Sequence, residues 1–181
     1  KKKVVQNLTD VTAQAGLSLA IIDVDSFAIC NSFEYNYPEM KDKPAYLLDI
    51  GGTQSAFCIY HNGQPVFLRE VSFGGRAITD SIGSILNLKR LDAERIKLNG
   101  KEDMDDVTHK AVADAIQKTL KSWCEELRRL IGFYQSSSIN VVPAESLYLS
   151  GGGALLADLR DTFTKELNLN VQYHDPFRKV Q

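Results

Sequence analysis

Two strands joined by a Gly-Gly-Thr turn constrain this chain more than any other segment: Leu47-Leu48-Asp49-Ile50-Gly51-Gly52-Thr53, then Ser55-Ala56-Phe57-Cys58-Ile59-Tyr60-His61. Short apolar runs bounded by glycine read as buried strands. Glycines at such a turn let the backbone approach an anion, and the amide nitrogens of Gly51, Gly52 and Thr53, with the Thr53 hydroxyl, can donate to phosphate oxygens. Asp49, at the strand end, is placed to hold a hydrated magnesium ion. An ordinary hairpin that uses its glycines only for backbone freedom explains the same residues.

A second glycine cluster follows about a hundred residues later, a separation that one domain of common size holds. Leu147-Tyr148-Leu149-Ser150 runs into Gly151-Gly152-Gly153, and Ala154-Leu155-Leu156-Ala157-Asp158-Leu159 reads as the opening of a helix. Strand, glycine turn and helix N-terminus make a place where backbone can press on a flat ligand or a phosphate. Close packing of helix on sheet is the plainer account of the same glycines.

Periodicity orders the rest. Val4, Leu8, Val11 and Ala15 give an amphipathic first helix with Gly16 as its stop. Leu17 to Ile22 reads as a strand, Ser26 to Phe33 as a helix, and Tyr35 to Lys43 as a hinge. Strands are expected at Ala45–Ile50, Ser55–His61 and Pro65–Ser72, the last two joined through His61-Asn62-Gly63. Helices follow from Gly75 to Leu88 and from Asp92, as cap, through Lys97, with Asn99-Gly100 as its end. A long apolar stripe, Val112, Ile116, Leu120, Trp123, Leu127, Leu130 and Tyr134, marks another helix, and Trp123 belongs to the core. Ser136 to Ser138 reads as a loop. The last helix is expected to bury Leu155, Leu159, Phe163 and Leu167, before an edge strand at Val171-Gln172-Tyr173.

The 181 residues carry 44% hydrophobic and 24% charged side chains and a net charge of −2. That suffices for one or two compact units and argues against a nucleic-acid binder, which would show a basic surface. No stretch reaches the roughly 18 apolar residues of a membrane-spanning helix, and no signal peptide is visible, so a cytosolic protein is expected. Cys30, Cys58 and Cys124 lack a paired spacing and read as reduced packing residues.

Order and content of these segments resemble the PilM family of actin-like type IV pilus assembly proteins. The resemblance rests on both glycine clusters and on Ile22-Asp23-Val24-Asp25-Ser26-Phe27-Ala28-Ile29-Cys30-Asn31-Ser32-Phe33-Glu34, Phe67-Leu68-Arg69-Glu70-Val71-Ser72-Phe73-Gly74-Gly75-Arg76-Ala77-Ile78-Thr79, Ala93-Glu94-Arg95-Ile96-Lys97, Glu126-Leu127-Arg128-Arg129, Phe133-Tyr134 and Asp175-Pro176-Phe177. It implies an α/β actin-like (ribonuclease H-like) ATPase domain II with a mixed sheet flanked by helices. Residues 1–42 would be the tail of domain I and the connection. Residues 43–181 would be domain II, with an abbreviated inserted subdomain at about 89–144.

The resemblance further implies ATP and Mg2+ as ligands. Asp49 would orient magnesium through water; Gly51, Gly52 and Thr53 would contact phosphates; Gly151, Gly152 and Gly153 would face adenosine. Glu94 and Lys97, one helical turn apart, would meet ribose and adenine, although a solvent-exposed ion pair fits the same spacing. Asp25 would polarise an attacking water, or else cap the helix that follows it. The whole protein would be a cytoplasmic scaffold held near the inner membrane by its partners, docking the N-terminal tail of a PilN-like membrane protein beside other pilus assembly proteins, with weak or absent ATPase activity. A secretion-system scaffold that binds no nucleotide and a small-molecule kinase are the alternatives.

Overall fold

The computed structural model describes residues 2–99, 104–137 and 141–180. Its strands are β1 (Ala45–Ile50), β2 (Ser55–His61), β3 (Gln64–Val71), β4 (Ser146–Ser150) and β5 (Asn170–Tyr173). Its α-helices are α1 (Lys2–Gln14), α2 (Asp25–Asn36), α3 (Gly75–Leu86), α4 (Arg90–Asn99), α5 (Asp106–Ser137) and α6 (Leu159–Leu167). β1, β2 and β3 form an antiparallel meander, and β4 and β5 add in parallel, giving the order β3-β2-β1-β4-β5.

Burial on both faces makes β1 the centre. Alternation sends Ala45 and Leu47 to one face, where they pack with Phe33, Tyr37, Tyr60 and Tyr148 beneath α2. Tyr46, Leu48 and Ile50 go to the other, into the larger core beneath α3, α5 and α6. The stripe of α5 lies there: Leu120, Trp123 and Leu127 are buried, and the Trp123 ring stacks on Phe73 with centroids 4.8 Å apart. The turn between β2 and β3 is the one the sequence asks for, with Asn62 at φ 53° and Gly63 at φ 75°.

Several expectations are corrected. Leu17 to Ile22 forms no strand; the run has no strand to pair with among the described residues, and Leu17 and Ile21 are 66% and 82% exposed. α1 ends at the expected Gly16 turn (φ 73°), but its apolar face is open, with no buried residue. Gly151-Gly152-Gly153 does not open a helix directly: a 3-10 turn spans Gly152–Leu155, α6 starts at Leu159, and Leu155 is exposed. α4 begins two residues before Asp92, which lies in its first turn. Ser136 and Ser137 are the last residues of α5, their hydroxyls donating to the carbonyls of Phe133 and Tyr134. Gly100 and Ser138 lie outside the described residues. Cys30 and Cys58 lack a paired spacing in sequence but meet in the fold, their sulfurs 3.3 Å apart.

Candidate functional site

Parallel pairing sets Asp49 opposite Ser150, so the glycine turns leaving β1 and β4 lie side by side. The carboxyl ends of adjacent parallel strands are where open α/β sheets bind ligands. The start of α3 closes over the first turn: Gly75 N donates to Gly51 O at 3.0 Å and Arg76 N to Gly52 O at 2.7 Å. Gly74 permits that approach, because a Cβ there would sit 2.7 Å from Gly51 O.

A cleft of about 890 Å³ opens between these turns and α4, lined by Gly51, Gly52, Gly152 and Gly153 and by Glu94 and Lys97. The Lys97 ammonium is turned inward, its side chain only 11% exposed. It donates to Glu94 Oε1 at 2.7 Å, Thr79 Oγ1 at 3.0 Å and Gly75 O at 3.3 Å. Burial raises the Glu94 carboxyl, but the hydrogen bonds from Lys97 and Thr79 outweigh it and hold the group below its ordinary value. The pair is therefore not the solvent-exposed bridge that its spacing also allowed. With the ammonium engaged by protein, the Lys97 stem and the open side of Glu94 remain for a ligand.

A second cleft, of about 600 Å³, lies between the same glycine turn and α2. It takes Asp25, Asp49, Gly151 and Gly152, with Ser32 and His174. Ser150 Oγ donates to Asp49 Oδ1 at 3.1 Å, and Ser32 Oγ lies 3.3 Å from His174 Nε2. Burial pulls the His174 imidazole below 6.5, partly opposed by the charge of Asp175.

The residues singled out in the sequence thus fall into two groups that share Gly152. Strand alternation is the reason: Asp49 follows Leu47 onto the α2 face of β1, so it points away from Glu94 and Lys97. Thr53 lies at the exposed tip of its turn, and the first cleft takes Gly51 and Gly52 without it. Asp25 does not cap α2. Val24 is the N-cap, with no side-chain cap bond, and the neighbouring Asp23 accepts from Val24 N and Asn31 Nδ2 instead.

Thr79 went unassigned in the sequence although it joins α3 to Glu94, Lys97 and Gly75 O. Its signal was the position four residues after Gly75, one turn into a helix that begins at the cleft. Leu91, Leu98 and Leu155, all strongly exposed, supply apolar walls there. Leu91 and Leu98 went unread because exposed leucines carry no period of their own, and Leu155 had been assigned to the core.

A layered α/β sheet of this order, with paired glycine turns at the ends of β1 and β4, defines an actin-like domain. Solved structures agree. The chain aligns with MreB 5 of Spiroplasma citri bound to AMPPNP (16% identity, 93% of this chain and 58% of that one, TM-score 0.67). It also aligns with the ethanolamine utilization protein EutJ from Carboxydothermus hydrogenoformans (20% identity, 90% and 53%, TM-score 0.67). With the PilM-PilN type IV pilus biogenesis complex the identity is 27% and the TM-score 0.79, over 97% of this chain and 48% of that one. The sequence pattern of the type IV pilus assembly protein PilM matches residues 1–181, and the chain belongs to that family. It spans about half the length of the PilM-PilN complex chain that it matches. Among the described residues no helix is long and apolar enough to cross a membrane.

Proposed function

We propose that this chain is the second domain, with its connecting segment, of an ATP-binding scaffold for type IV pilus assembly. The observation that carries the reading is the first cleft, where two glycine turns meet Glu94 and Lys97 across about 890 Å³. The site fits a nucleotide. A Cβ built at Gly52 or Gly152 meets nothing within 4 Å, so the backbone there faces open space that a flat or anionic group can fill. Gly51 and Gly52 hold the phosphates; Gly152 and Gly153 take the adenosine, with the Lys97 stem and exposed leucines beside the base. Thr53, at the tip of the turn, reaches only the terminal phosphate.

Bound magnesium would neutralise phosphate charge. Asp49, oriented by Ser150, would hold the ion through water, since magnesium is held by one or two carboxylates together with water and phosphate. Asp25, across the second cleft from Asp49, is left to accept a hydrogen bond from water near the terminal phosphate. In the whole protein, domain I closes over the nucleotide from the α1 and α2 side and covers the exposed apolar face of α1. The boundary falls near residue 42, and the abbreviated insertion at about 89–144 contributes α4 to the cleft while α5 serves the core. A PilN-like cytoplasmic tail docks mainly on domain I, which keeps the scaffold at the inner membrane, beside other pilus assembly proteins.

Calorimetry with ATP and Mg2+ tests the clamp. These 181 residues are expected to bind weakly, and a chain of the full family length to bind with magnesium dependence. Equal and tight binding by both would sink the two-domain reading. Silence from both would favour a scaffold that needs no nucleotide.

Hydrolysis is a separate matter. Single-turnover assays on the longer protein are expected to show slow or undetectable turnover, in wild type and in Asp25→Asn alike. Rapid turnover abolished by the amide would instead make Asp25 the proton acceptor of an active ATPase.

A further inference from the structure

Cys30 on α2 and Cys58 on β2 are 28 residues apart in sequence, yet their sulfurs lie 3.3 Å from one another in the smaller core. Both thiols are free and buried. The pair sits where α2 meets the sheet, with Cys30 two residues before Ser32, which lines the second cleft. Cys124, also free and buried, belongs to the larger core with the α5 stripe.

We propose that Cys30 and Cys58 are a reversible redox pair, which a peroxide oxidises to a disulfide that fastens α2 to β2. Bonding needs the sulfurs to close by about 1.3 Å, within reach of rotation about the two Cα–Cβ bonds. The chemistry balances. The Cys30 thiolate attacks one peroxide oxygen and becomes a sulfenic acid as the other oxygen leaves as hydroxide, which takes up the proton the thiol released to give water. Cys58 sulfur then displaces the sulfenic oxygen, which leaves as water with the Cys58 proton. Each sulfur gives up one electron, and the peroxide accepts both. Either sulfur can donate across the 3.3 Å contact; with the proton on Cys58 the bond lowers the Cys30 pKa against the opposing effect of burial, and Cys30 is then the attacking group. Cys58 is pushed up by that same bond to Cys30 and by burial, so it keeps its proton until the second step.

Burial makes the reaction slow and tied to opening of α2. Oxidation then holds the helix, and Asp25 and Ser32 with it, in one position over the sheet. The second cleft loses its freedom to widen.

The test treats the reduced full chain with hydrogen peroxide, followed by intact mass and peptide mapping without reductant. The expected result is loss of two hydrogens, a Cys30–Cys58 linked peptide, reversal by dithiothreitol, slower amide exchange in α2 and a Tm raised by up to about 10 °C. Cys124→Ser should keep the link and Cys58→Ser should lose it. Should Cys58→Ser fold poorly, the wild-type map decides alone. Oxygen addition at Cys30 without a link, a link that includes Cys124, or a fully reduced pair after treatment would each overturn the proposal.

Discussion

Gly151→Ala is expected to destabilise the protein by about 2–5 kcal/mol, whereas Gly152→Ala, one residue away, should stay within about 1 kcal/mol. Gly151 has φ 81°, and a Cβ there would lie 2.5 Å from both Asp49 Oδ1 and Ile50 O. With ψ 161° this backbone lies in a region nearly confined to glycine and costs an alanine about 1–3 kcal/mol, and forcing atoms into a packed site adds about 1–2 kcal/mol. The obstacle includes backbone of the central strand, which cannot step aside as a flexible side-chain end can. Gly152 has neither problem: its Cβ would meet nothing within 4 Å. Urea unfolding of both variants measures the contrast. Gly152→Val extends it to binding, since this residue lines both clefts. It should fold and lose nucleotide affinity. A Gly151→Ala protein as stable as wild type would mean that the two turns are not held as described.

The second large effect concerns Lys97. Lys97→Met is expected to cost about 1–3 kcal/mol, because it strips hydrogen bonds from Glu94, Thr79 and the Gly75 carbonyl in one step. The lower part of that range is favoured by the 38% exposure of Glu94, which lets water replace part of the loss. Under the proposed function, the longer protein should also lose at least tenfold in ATP affinity. pH separates the two partners. The Glu94 carboxyl is held below 4.5 in the folded state, so the unfolded chain takes up its proton first as acid is added. Stability from this group is present above pH 4.5 and is lost as pH falls through the folded value. In Lys97→Met that acid-side slope should flatten. Unchanged affinity would remove Lys97 and its hydrogen-bonded neighbours from the binding site.

What the sequence made legible was whatever local period decides. The β1-β2-β3 meander follows from short apolar runs separated by Gly51-Gly52 and Asn62-Gly63. The stripe through Leu120, Trp123 and Leu127 follows from helical spacing. Leu17 to Ile22 misled because an apolar run signals a strand only if another strand is there to accept its hydrogen bonds. Leu155 was placed in the core because a helix was extended back through a turn that in fact swings it outward. The separation of Asp49 from Glu94 and Lys97 could not be read from motifs alone. It depends on which face of β1 each residue takes and on the pairing of β1 with β4. For the same reason nothing in the spacing of Cys30 and Cys58 announces their contact, which arises only when α2 lies down on the sheet.

The pairing of β1 with β4 also fixes when the site can exist during synthesis. Asp49 and Ser150 are 101 residues apart in the chain, and closing so long a loop precedes any of the contacts that reward it. The meander can form while the ribosome is still making α5. Neither cleft can, because one wall of each is made by the turn after Ser150. The two turns therefore come together only once Ser150 has been made, and any ligand bound between them would select completed molecules over partly made ones.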